Sequence, residues 1–253
     1  MVAIIARGRV ERHAERLPEH LRTRDWASVV KVILALDTQL GWPAAGWKVG
    51  AASAEVRRTE GLPSPSPGLI YLRGVFPSGA ELAPELFINY RNCECEFAFR
   101  LALDYPPRDR PYSEADSRAG IDCLFPALEL GDFVFRNWYG ASGYFGSCLD
   151  NGGGAAFVPG SPAADWAGID LVTAGVDLYL NGYYVKSGRG AAAMGHPVTS
   201  LTWMLNWASE HGRTIRAGQT VSTGTCTGHL FAARGDVVSA DFGPLGTVTV
   251  SFA

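Results

Sequence analysis

The sequence predicts an α+β, mainly β fold, on three observations. Residues 175–180 and 183–187 flank Asn181-Gly182, the strongest short hairpin signal a sequence carries. Residues 94–103, 126–134, 219–224, 236–242 and 246–252 read as further strands. Helical periodicity is confined to the N-terminal part and two later segments, which argues against a doubly wound parallel sheet.

In chain order, the first forty residues read as helical. Asp25 is placed as an N-cap, Trp26, Val29, Val30, Ile33, Leu36 and Leu40 follow on one face, and Gly41 with Pro43 stops the run. The segment Gly46-Trp47-Lys48-Val49-Gly50, bounded by glycines, predicts a short strand. Residues 61–68 predict a rigid loop, because their three prolines fit neither a helix nor a central strand. One helix is expected from Ser113, with Asp116 in a capping-box position, and another from Pro197 to Gly212.

Composition bounds the function. A chain of 253 residues, 47% hydrophobic and 19% charged, buries a core without disulfide or metal staples. A net charge of -3 with no basic run argues against nucleic acid and anionic membrane as partners. No apolar stretch approaches the roughly 20 residues of a membrane helix, and Met1 to Ala6 lacks a signal peptide's apolar core. Five cysteines without framework spacing predict reduced thiols and a cytoplasmic location.

The chemical signal is a set of acids. On a strand, Glu94 and Glu96 point the same way, while Cys95, Phe97, Phe99 and Leu101 point into the core. Two carboxylates ~4 Å apart repel by about 4 kcal/mol at an effective dielectric of ~20, and a cation reverses the sign. Oxygen donors with open water positions suit Mg²⁺ or Mn²⁺. Glu129, in the apolar run Pro-Ala-Leu-Glu-Leu-Gly-Asp, is the candidate third ligand, since an unpaired glutamate there is costly. Asp132 ranks behind it, because strand spacing points it to the opposite face. Taken alone, Glu94 and Glu96 favour the ordinary reading of a solvated sheet face; Glu129 adds weight to the metal.

Several ordered stretches resemble the fumarylacetoacetate hydrolase superfamily, in its 2-oxo-pent-4-enoate (2-hydroxypenta-2,4-dienoate) hydratase-like branch. They are GWKVG at 46–50, ECEFAF at 94–99, ALELGD at 127–132, DN at 150–151, VKSGRGAAAMGHP at 185–197 and GDVVSADFGPLGTVTVSF at 235–252. The resemblance implies mixed sheets in a distorted barrel or roll, an N-terminal helical segment over 1–45, a catalytic domain over 46–253, and a homo-oligomer. It implies Mg²⁺ or Mn²⁺ on Glu94, Glu96 and Glu129, a catalytic Lys48, and substrate contacts from Gly224 and Thr225, whose hydroxyl would meet the substrate carboxylate. The chain departs from the family at residues 68–74, GLIYLRG, which carry Arg73 where relatives have an acid. Phe133 and Val134 follow Asp132 where a small polar residue and Arg are usual.

Within that family the expected activity is a hydratase or tautomerase of 2-hydroxydienoic acids of aromatic meta-cleavage pathways. Lys48 would shuttle a proton, its pKa lowered by burial and a nearby cation. The alternatives are a 2-oxo acid decarboxylase, an acylpyruvate-type C–C hydrolase, and a non-catalytic subunit partnering a sister enzyme such as a decarboxylase. Other motifs carry less. Gly188-Arg189-Gly190 follows a hairpin, the wrong context for a dinucleotide site. Residues 140–144, GASGY, make no GxSxG elbow, and Cys93 and Cys95 have no second pair for zinc. His196 reads as structural, Trp203 and Trp207 as core or subunit interface, and His229 as a weak site candidate.

Overall fold

The computed structural model describes residues 1–136 and 143–253, so residues 140–142 of the GASGY stretch lie outside it. Two helices open the chain: α1 (Val2–Glu11) and α2 (Trp26–Leu40). Asp25 caps α2 as expected, accepting the Ser28 amide at 2.9 Å, and Gly41 ends it in the left-handed region at φ 58°. Between the helices, Arg12 turns left-handed and Pro18 opens a short 3-10 turn, so residues 12–25 are not helical as the sequence reading expected.

The remaining described elements follow in order: β1 (Ala44–Gly50), α3 (Ala54–Glu60), β2 (Ser66–Tyr71), β3 (Ala80–Leu82), β4 (Asn92–Leu101), α4 (Glu114–Ala119) and β5 (Ile121–Gly131). Then come α5 (Tyr144–Leu149), β6 (Gly154–Pro159), β7 (Gly175–Leu180), β8 (Tyr183–Arg189), α6 (Pro197–Glu210), β9 (Thr220–Ser222), β10 (Leu230–Phe231), β11 (Val237–Asp241) and β12 (Thr247–Phe252). Ser113 and Asp116 form the expected capping box, and His196 caps α6 by accepting the Val198 amide at 2.9 Å. Asn181 and Gly182 both adopt positive φ and join β7 to β8. Among the described residues no helix is long and apolar enough to cross a membrane.

Two boundaries differ from expectation for physical reasons. Residues 66–68 are strand despite Pro67, because β2 is an edge strand and needs no amide there. β5 starts five residues earlier than predicted and stops at Gly131. The chain leaves the ladder at Asp132, whose carboxylate accepts the amides of Ile88, Asn89, Tyr90 and Phe133.

The strands form two mixed sheets. One runs β2-β1-β9-β4-β5-β6, with β10 on β4, and has β1 parallel to β9; the other runs β3-β12-β11-β7-β8, with β3 parallel to β12. Trp47, Phe97, Phe99, Leu128 and Val221 fill the core on one face of the first sheet, together with Val238, Val248 and Val250 of the second and with Leu201 and Leu205 of α6. That first sheet curls into a half-barrel. A bridge between Val75 and Phe157 brings β6 round towards the β2 edge. At this seam the side chain of Asn151 acts as a short strand, accepting the Leu69 amide at 2.7 Å and donating to its carbonyl at 2.9 Å. Inside the curl lies a small apolar layer of Ile70, Ala98, Ala127 and Phe157.

The N-terminal segment packs on residues 133–135 and 145–149 through Ile5, Leu17, Val29, Ile33, Leu36, Phe133, Phe135 and Phe145. Arg9 locks this contact. Its guanidinium pairs with the fully buried Asp150 at 2.8 Å and donates to the carbonyls of Gly154 and Asp132 at 3.0 and 2.9 Å. Arg9→Met leaves a buried carboxylate without its counter-ion and should cost about 3–5 kcal/mol. The midpoint of urea unfolding will read this.

Candidate active site

Strand register places the acids together. Glu94 stands directly opposite Glu129 across β4 and β5, and Glu96 opposite Ala127. Directly opposed residues share a face, as do residues two apart, so all three carboxylates line the inside of the curl. Lys48 reaches the same face: it is opposite Ser222, which is opposite Ala98. Cys95, Phe97, Phe99 and Leu101 occupy the other face and are buried. With Val49, Val56, Phe133, Tyr144, Thr225 and His229, these polar groups line a cleft of about 550 Å³.

Each acid is gripped by the protein. Lys48 Nζ donates to Glu129 Oε1 at 2.6 Å and to the Gly152 carbonyl at 2.9 Å. Ser222 Oγ and the Gly224 amide donate to Glu96 Oε2 at 2.5 and 2.9 Å. His229 Nδ1 and Asn92 Nδ2 each lie 2.7 Å from Glu94 Oε1. Among the described residues no three His, Cys, Asp or Glu side chains already stand at coordinating geometry. The sequence reading held that the crowded charge requires an ion. Within the chain itself, the Lys48 ammonium and the His229 and Asn92 contacts to Glu94 offset part of that crowding.

The ionisation of the cluster follows. Burial, then the charges of Glu129 and Glu94, push Glu96 well above its ordinary value. Burial also raises Glu129, against the opposing charge of Lys48. Glu94 behaves oppositely: burial pushes it up, but the His229 hydrogen bond and charge, with Lys48 and Asn92, bring it below the usual range. For Lys48 burial acts downward, yet Glu129, Glu94 and Glu96 outweigh it and raise the ammonium pKa. The lowered pKa expected of Lys48 belongs to a site with a cation beside it; the raised direction is that of the lysine among the three carboxylates alone.

Glycines shape the lysine's channel. A Cβ at Gly68 would lie 2.8 Å from Lys48 Cε, one at Gly152 2.8 Å from Nζ, and one at Gly154 3.1 Å from Cε. Asn151, Gly152 and Gly153 take positive φ in succession, a turn open only to such residues, and it aims the Gly152 carbonyl at the ammonium. Sequence reasoning missed this cradle, although the run Asp150-Asn151-Gly152-Gly153-Gly154 was its signal.

Of the other residues singled out, Thr225 lines the cleft and its Oγ1 accepts the Gly228 amide at 2.9 Å, while the Gly224 amide is engaged by Glu96. Asp132 binds backbone amides outside the cleft. Arg73 stacks over Trp42, 4.4 Å from the ring centroid, and is not among the residues lining the cleft. His229, weak from sequence, stands inside it. All five cysteines are free and buried.

No protein-family model matches the chain. The 2-keto-4-pentenoate hydratase of Paraburkholderia xenovorans is 27% identical over 224 residues, which cover 87% of this chain and 81% of that protein. A 4-oxalocrotonate decarboxylase of Pseudomonas putida is 31% identical over 137 residues, 54% of this chain and 51% of that protein. The solved structure of a Pseudomonas putida 4-oxalocrotonate decarboxylase, complexed with magnesium and adipate, matches with a TM-score of 0.88 at 24% identity, over 100% of this chain and 97% of that one.

The raised pKa of Glu96 has a measurable sign. The unfolded chain releases this proton near 4.5, while the folded, metal-free chain holds it to higher pH. Stability is therefore full below pH 4.5 and falls as pH rises through the folded value, by about 1.4 kcal/mol for each unit of elevation. Glu96→Gln should remove that loss and leave chelator-treated protein more stable than wild type above the window. Urea midpoints across a pH series will check this.

Proposed function

We propose that this chain, which belongs to the fumarylacetoacetate hydrolase superfamily in its hydratase and decarboxylase branch, is a divalent-metal-dependent hydratase or tautomerase of 2-hydroxydienoic (2-oxoalkenoic) acids. One observation carries the reading: three carboxylates and a buried lysine share one face inside a half-barrel, where purely structural packing would place apolar side chains. Glu94, Glu96 and Glu129 would hold the ion. They fit it as a hard-oxygen set, each held through one oxygen by a donor of the protein. When bound, Mg²⁺ or Mn²⁺ supplies Lewis acidity towards the keto and carboxylate oxygens of a 2-oxo acid.

The protein's own groups do the rest. Lys48 Nζ carries the proton exchanged with the substrate carbon, and its contact with Glu129 Oε1 gives that proton a local donor and acceptor. Thr225 Oγ1 at the cleft wall, with Gly224 beside it, would bind the substrate carboxylate, while the Gly224 amide also donates to Glu96. Val56 and Phe133 supply apolar surface against which a hydrocarbon tail packs. The active form is proposed as a homo-oligomer.

One feature favours a second reading on the same scaffold. Residues 68–74 contain no acid, so β2 and the turn after it provide no general base to activate water. Loss of CO₂ from a 2-oxo dicarboxylic acid needs no activated water, only return of a proton to carbon, which Lys48 can provide.

Incubation with Mg²⁺ or Mn²⁺ and 2-hydroxypenta-2,4-dienoate should remove the dienol absorbance in a metal-dependent manner. A 4-hydroxy-2-oxo acid identified by NMR marks hydration; a decarboxylated product from a dicarboxylic analogue marks the second reading. No metal-dependent change with substrates of several chain lengths would leave only a partner-subunit role. Lys48→Met should lower kcat by ~10²–10⁴, and full turnover in that variant would remove Lys48 from the mechanism.

A further inference from the structure

We propose that His229 is a positioning residue of the cation site: with Asn92 it holds one oxygen of Glu94 and so orients the carboxylate that would meet the ion. The proposal rests on the reading of Glu94 as a metal ligand. Its observations are geometric. His229 Nδ1 and Asn92 Nδ2 converge on the same oxygen, Glu94 Oε1, each at 2.7 Å. They lie 2.8 Å from one another, so the three polar atoms form a closed triangle. The far ring nitrogen, Nε2, is 3.3 Å from the Tyr144 hydroxyl. In the imidazolium, as in the neutral Nδ1–H form, Nδ1 carries a proton that it donates to Glu94.

The ring is fixed by more than these bonds. Lys186 Nζ donates to the His229 carbonyl at 2.6 Å. The imidazole stacks on Phe231, with centroids 6.0 Å apart and planes 27° from parallel. Both ring nitrogens therefore already have partners, and neither lone pair is open towards the cleft. A histidine acting as a direct ligand needs one nitrogen free, so the geometry points to a supporting role. Hydrogen bonds of this kind orient a ligating carboxylate and commonly change metal affinity 10- to 100-fold.

The same device recurs at the other two acids with different partners. Ser222 and Gly224 take Oε2 of Glu96, and Lys48 takes Oε1 of Glu129. His229 completes a pattern in which each carboxylate is held through one oxygen by a donor of the protein. The imidazole acts beside that set of carboxylates and not within it.

Mn²⁺ binding to the full chain tests this, using calorimetry for affinity and electron spin echo for directly bound nitrogen. Wild type should take up Mn²⁺ with no coupling from a directly bound ¹⁴N. His229→Ala should bind 10- to 100-fold more weakly. His229→Asn, which returns an N–H donor near the Nδ1 position, should recover to within about threefold of wild type, with thermal melts reporting the fold of each variant. Affinity in His229→Ala equal to wild type, or an Asn variant as weak as the Ala variant, overturns the proposal. So does a directly bound ¹⁴N in wild type. Failure of wild type to bind Mn²⁺ at all is a different result and overturns the metal reading itself.

Discussion

The architecture is organised around one ion pair, the Lys48 ammonium on the Glu129 carboxylate in the interior of the curled sheet. Pairs of this kind are poor sources of stability, because desolvating both charges offsets most of their attraction, and an apolar pair of equal volume does as well or better. Its neighbours make it costlier still, since Glu94 and Glu96 share the face. The fold nevertheless builds everything around it to hold that lysine in place: glycines at 68, 152 and 154, a left-handed turn at 151–153, and a parallel β1–β9 pairing that sets its direction. An arrangement so unfavourable for folding is what a site that must receive a cation and move a proton requires.

The supports of that turn extend outward to the chain's N-terminus. Arg9 of α1 holds Asp150, and Asn151, the next residue, closes the seam of the half-barrel on Leu69. The N-terminal helices thus stand behind the segment that aims the Gly152 carbonyl at Lys48. The division of labour between the two faces of the sheet is equally direct. One face carries Phe97, Phe99 and Leu128 into the main core and supplies the burial that pays for the other, where the acids sit.

Sequence periodicity was enough for the strands that bear the site, since β4 alternates strictly and the opposite face of Glu94 and Glu96 is wholly apolar. It was enough too for the capped helices, whose signals are local: Asp25, Ser113 with Asp116, and Pro197. It failed where the structure is set by distant partners. Asp132 looked like a spare ligand until three amides from residues 88–90 converged on it. The Lys48–Glu129 contact joins residues 81 positions apart and is invisible to any local pattern. His229 had only its nearness to a glycine-threonine loop to recommend it, because the reason it matters, Glu94, lies on another strand.

The missing acid at residues 68–74 has a structural counterpart that bears on which reaction the scaffold favours. Arg73 stacks on Trp42, so the turn after β2 sends a cation towards the N-terminal helices and no titratable group into the curl. Of residues 68–74, Ile70 points inward and is apolar. Among the described residues, the groups left in the cleft to handle protons are Lys48, Ser53, Ser66, Tyr144, Ser147, Thr225 and His229. Burial raises the Tyr144 hydroxyl far above neutrality, so it is a fixed donor. His229 is occupied with Glu94, and the hydroxyls of Ser53, Ser66, Ser147 and Thr225 are weak acids. On the proposed reading, proton exchange at carbon is assigned to Lys48, and among the described residues a water nucleophile would be activated by a carboxylate of the cluster. Hydration and decarboxylation then differ in one physical demand, whether one of those carboxylates can be spared from the ion to take a proton from water.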